Sequence, residues 1–113
     1  AQPSSAPAED QDQLQCRLGY LLYWTGHQQE AAERLLSALW DLEPAAIWPS
    51  LEAVLHAASC ACYAARMSTQ FAMVLLAWQG RLSALHDTGG LQVVNGHLAF
   101  HDPGKVQPAP AAR

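Results

Sequence analysis

Leu91-Gln92-Val93-Val94-Asn95-Gly96-His97-Leu98-Ala99-Phe100 is the stretch on which the fold turns. An Asn-Gly pair between two short apolar runs is the pair favoured by a type I′ turn, so the stretch reads as a β-hairpin over residues 91–101. In that register Val93 faces Leu98 and Leu91 faces Phe100, all four on one side of the ribbon. A lone hairpin is marginal in water, so this side must lie on what precedes it.

What precedes it has helical spacing. A first helix is expected over residues 9–24, where Leu14, Leu18, Leu21 and Leu22 share one face. Glu9, Asp10 and Asp12 suit its amino end, and Thr25-Gly26 ends it. A second helix over 28–42 carries the stripe Ala31, Leu35, Ala38, Leu39 and Leu42, an i,i+4 pair Glu30–Arg34, and a stop at Pro44. A third should start at Pro49 or Ser50 and reach Arg66. Its apolar side, Leu51, Val54, Leu55, Ala58, Ala61, Cys62 and Ala65, is built largely of small residues that let another backbone approach, so this helix is expected at the centre. Its other face reads Glu52, His56, Ser59, Tyr63 and Arg66. A fourth, capped by Ser68 or Thr69, runs to about His86 with the stripe Phe71, Val74, Leu75, Trp78, Leu82 and Leu85, and Gly89-Gly90 closes it. The expected fold is mainly α: about four helices in a compact bundle of helical hairpins with a C-terminal β-hairpin. One domain spans 9–102, with flexible tails at 1–8 and 103–113.

A chain of 113 residues holds one domain. Half of it is hydrophobic, which excludes disorder for its middle. Six basic residues stand against ten acidic, a net charge of −4, so non-specific nucleic-acid binding is disfavoured. The longest central charge-free runs, 53–65 and 67–80, fall short of the roughly 20 residues that span a bilayer. Three cysteines (Cys16, Cys60, Cys62) are too few for a disulfide scaffold, and free buried thiols fit a reducing, cytoplasmic setting. The opening Ala-Gln-Pro would also suit a removed leader and hence a periplasmic or secreted location.

Catalysis finds little support. No nucleophile elbow or phosphate loop is present. His97 and His101, on one strand, would stand about 13 Å apart, too far to chelate one metal. His56 and Cys60 share a helix face, yet no second ligand pair follows. No enzyme activity, catalytic residue, metal or cofactor is therefore expected.

Residues 18–44, through Leu18, Gly19, Leu22, Gly26, Ala31, Leu35, Ala38 and Pro44, resemble a tetratricopeptide repeat. That resemblance implies a binding adaptor, a class that includes chaperones of bacterial secretion systems. Residues 68–102, through Leu82, Leu85, Gly89, Leu91 and the hairpin ending at His101-Asp102-Pro103, resemble the recognition helix and wing of a winged-helix regulator. The hairpin carries no Lys or Arg to hold a phosphate, which disfavours nucleic acid as the partner; a winged-helix transcription regulator or DNA-associated domain is the alternative expectation, and the same shape could serve protein contact.

The leading expectation is a non-enzymatic protein-interaction module. Tryptophan is enriched at interfaces, and of Trp24, Trp40, Trp48 and Trp78 two are expected in the core. The candidate partner-binding residues are Trp40, Trp48, Glu52, His56, Tyr63 and Arg66. The partner is a protein or a second copy, so a dimer or an obligate hetero-complex is expected.

Overall fold

The computed structural model describes residues 8–105 as five helices: α1 (Ala8–Trp24), α2 (Gln28–Leu39), α3 (Leu51–Ala64), α4 (Ser68–Ala84) and α5 (Thr88–His101). Short 3-10 turns stand at Pro44–Ala46 and Pro103–Lys105. The expected tails lie mostly outside the described residues, and the second 3-10 turn takes in the start of the C-terminal one.

Three of the connections share one design. Gly26, Arg66 and His86 take positive φ, at 90°, 61° and 57°. The following amide reaches back five residues: His27 N–H donates to Leu22 O at 2.9 Å, Met67 to Cys62 at 2.7 Å and Asp87 to Leu82 at 2.9 Å. This is the left-handed ending that satisfies the last carbonyls of a helix. Each turn reverses the chain so that consecutive helices pack on each other: α1 on α2, α3 on α4, α4 on α5.

The β-hairpin is corrected. Among the described residues there is no strand, and Leu91–Phe100 lies inside α5. Two features decide this. Asp87 caps the helix, its carboxylate accepting from Gly90 N–H at 2.9 Å, so the Gly-Gly pair read as a stop sits in the first turn of the next helix. Val94 and Leu98, four residues apart, are then fully buried together. A two-stranded ribbon would leave both outer edges unpaired, whereas a helix pairs its own backbone. The cost of helical Asn95 and Gly96, about 1 kcal/mol each at most, is smaller than the roughly 1.5–3 kcal/mol from burying each of Val94 and Leu98. Gln79 on α4 also donates to Asn95 Oδ1 at 3.0 Å. The bundle therefore has five helices rather than four.

α3 touches all four other helices, as its small-residue face requires. Val54, Leu55, Ala57, Ala58, Ala61 and Cys62 have no exposure at all. The expected stripes of α2 and α4 are buried as well, except that Leu85 is 61% exposed past the end of α4. α2 stops at Leu39, three residues early, because α4 takes over its terminal carbonyls. Trp78 Nε1 donates to Leu39 O at 2.8 Å, and the Arg81 guanidinium donates to the carbonyls of Trp40 and Leu42, the latter at 3.0 Å. The same guanidinium lies 4.8 Å over the Trp78 ring.

α1 packs by an unexpected face. Cys16 and Gly19 are buried against α2, flanked by half-buried Tyr20 and Tyr23. A Cβ at Gly19 would stand 2.7 Å from Leu35 Cγ and 3.3 Å from the Leu35 amide nitrogen, so glycine lets the two helices close. Of the expected leucine face Leu22 packs on the core, while the rest is left outside: Leu14 is 64% exposed, Leu18 40% and Leu21 52%.

Candidate functional site

The six candidate partner-binding residues fall in three places. Trp40 stands at the end of α2, its carbonyl held by Arg81 and its side chain exposed. Tyr63 and Arg66 stand at the α3–α4 turn, where with Ala64, Ser68 and Thr69 they line an open hollow of about 510 Å³. Tyr63 packs at a tilt against Phe100 of α5, centroids 5.2 Å apart and planes inclined at 59°. Glu52 and His56 line one hollow on the α1–α3 side, and Trp48 packs on Tyr20 at its edge.

This third place is the richest, because α1 adds residues that sequence reasoning did not single out. Tyr20 packs edge-to-face on Trp48 at 5.7 Å and on Trp24 at 6.3 Å. Tyr23 packs on Trp24 at 5.2 Å and on His56 at 6.4 Å. Arg17 lays its guanidinium 5.8 Å over the Trp48 ring. Aromatic pairs in this geometry are worth roughly 0.5–1.5 kcal/mol each beyond their burial. Yet Trp24 and Trp48 remain 62% and 43% exposed. Of the four tryptophans only Trp78 is core, not the two expected. The aromatic cluster adjoins the outward leucines of α1, so Leu14, Leu18, Leu21 and Trp24 make one apolar strip along a single helix.

Ser59, placed on the polar face of α3, is in fact buried. Its hydroxyl is 2.7 Å from His101 Nε2, and the Ser68 hydroxyl is 2.8 Å from His101 Nδ1. Ser68 therefore ties α4 to α5 instead of capping α4, whose N-cap is Met67. Burial lowers the pKa of His101 from its ordinary value, and burial with the neighbouring His101 and His56 lowers that of His97, against a smaller pull from Glu52. In α5 the two histidines are helical neighbours and both meet the Phe71 ring edge, at 5.0 Å for His101 and 6.2 Å for His97. One imidazole thus links α3, α4 and α5 through two serine hydroxyls, and Ser68 also borders the hollow at the α3–α4 turn.

The thiols are free, and burial pushes Cys16 up to about 11 and Cys62 up to about 12. Cys60 Sγ lies 3.8 Å from His56 Nε2. Among the described residues no group of three or more metal-ligating side chains comes together, and no helix is long and apolar enough to cross a membrane. No family model, curated protein or solved structure matches the chain.

Proposed function

We propose that this chain is a non-enzymatic protein-interaction module, an adaptor or small chaperone-like subunit, that binds its partner through the outer face of α1 and the aromatic cluster beside it. One observation carries the reading: a helix whose most apolar face points outward. Soluble monomers seldom leave a continuous row of this kind uncovered. Leu14, Leu18 and Leu21 follow the +4, +3 spacing with which one amphipathic helix meets another. Trp24 and Trp48 are of the type that dominates interface energetics. The resemblance of residues 18–44 to a tetratricopeptide repeat supports an adaptor. The resemblance to a winged helix loses its wing, since those residues are helical in α5.

Sedimentation velocity at micromolar concentration, with 8-anilinonaphthalene-1-sulfonate fluorescence alongside, tests the proposal. The expected result is a dimer, or a monomer that binds the apolar dye, with either property lost in Leu18→Glu and Leu21→Glu. Trp48→Ala should weaken the same property, and Trp40→Ala reports whether the end of α2 shares in the contact. A monomer that binds no dye overturns the reading.

A further inference from the structure

Between the carboxyl end of α1 and the first turn of α3 lies a hollow of about 360 Å³ lined by Tyr20, Trp24, Ser50, Glu52, Ala53 and His56. Two of its walls are aromatic rings inclined at 72° with centroids 6.3 Å apart. A third side carries the Glu52 carboxylate, which enters no ion pair among the described residues. Steeply inclined aromatic rings beside one carboxylate are an arrangement that attracts an organic cation: the ring quadrupoles present negative faces and the carboxylate adds a full charge. The amino end of α3 opposes this with about half a positive charge, less than the carboxylate supplies. The same cluster already holds one cation, Arg17 over Trp48, while neither Tyr20 nor Trp24 has a cationic partner among the described residues.

We infer that the Tyr20–Trp24–Glu52 hollow is a binding site for an alkylammonium group, filled by a lysine side chain of the partner segment that lies along α1. The ammonium enters against Glu52 while its methylenes run over the indole. This deepens the interaction reading by giving the partner's chemistry: apolar residues spaced to meet Leu14, Leu18 and Leu21, followed by a basic residue at the Trp24 end. The net charge of −4 favours such a basic partner over an acidic one.

The test uses small probes on the full chain, so it can fail independently of association, which sedimentation reads. Indole N–H signals are followed by NMR at pH 8 during titration with N-acetyl-lysine methylamide and N-acetyl-norleucine methylamide. A second pair is choline and its uncharged isostere 3,3-dimethyl-1-butanol. The Trp24 signal, assigned with Trp24→Phe, should move with the cations. Each cation should bind about tenfold more tightly than its neutral counterpart, the ratio a partly desolvated cation–π contact supplies. Glu52→Gln should lose most of that ratio and Trp24→Leu all binding, both with an unchanged helical circular-dichroism spectrum, while Glu30→Gln changes nothing. Tighter binding of the lysine analogue supports a peptide side chain. Choline preferred over lysine overturns that source in favour of a free quaternary ammonium compound. Equal binding of charged and neutral probes, or no saturation by about 50 mM, overturns the site.

Discussion

Gly96 sits in the middle of α5 with nothing within 4 Å of where its Cβ would be. Glycine costs a helix interior about 0.5–1 kcal/mol relative to alanine. Gly96→Ala should therefore raise stability by about that amount, and Gly96→Val should be close to neutral. The Asn-Gly hairpin reading predicts the reverse, a loss above about 1 kcal/mol for valine, because a type I′ turn demands positive φ. A urea melt of the two variants separates the structures. The residues explain why the sequence misled here. Leu91, Val93, Leu98 and Phe100 satisfy a hairpin register, while Leu91, Val94, Leu98 and His101 satisfy helical spacing, and in eleven residues neither excludes the other. The decisive signal was Asp87, three residues before Gly90, a helix-start residue hidden in front of a glycine pair that looks like a stop.

At the scale of elements, the central place of α3 was legible because a row of alanines has few other uses. Ala58→Leu or Ala61→Leu, each at a position with no exposure, should cost roughly 1–3 kcal/mol through overpacking. Thermal melts indistinguishable from wild type would mean that α3 has a free side. The packing of α1 was not legible. Leu14, Leu18 and Leu21 make the more hydrophobic face, yet the face that packs is the one with Gly19, because close approach to Leu35 needs a missing side chain rather than a large one. That same inversion hid the site, since Tyr20 and Trp24 gain meaning only once Glu52 of α3 is beside them. The docking of α5 makes a further prediction. Folding lowers the pKa of His97 and His101, so protons bind the unfolded chain more tightly. Their contribution to stability is whole above the unfolded imidazole value near 6.5 and is lost as pH falls from there toward the lower folded values. Urea midpoints should drop between about pH 7.5 and pH 5, and the drop should shrink in a His97→Gln, His101→Gln double variant. An equal drop in both proteins would show that these histidines are not responsible.

For the whole molecule, one core links all five helices, and the thiols report on it from different depths. Cys16 and Cys62 are fully buried and Cys60 is half-exposed. In the native protein one thiol per chain should react readily with 5,5′-dithiobis(2-nitrobenzoate), and the other two should follow only at the rate of opening. Three thiols reacting together would contradict a closed core. The left-handed turns at Gly26, Arg66 and His86 bear on the speed of folding. Each brings its two helices together across three residues, so little loop entropy opposes the encounter, and the contacts formed first are near in sequence. Only the longer connection through Pro44–Ala46 separates the first two helices from the last three. The chain should refold within milliseconds, with α1–α2 and α3–α5 able to form as separate nuclei before they merge.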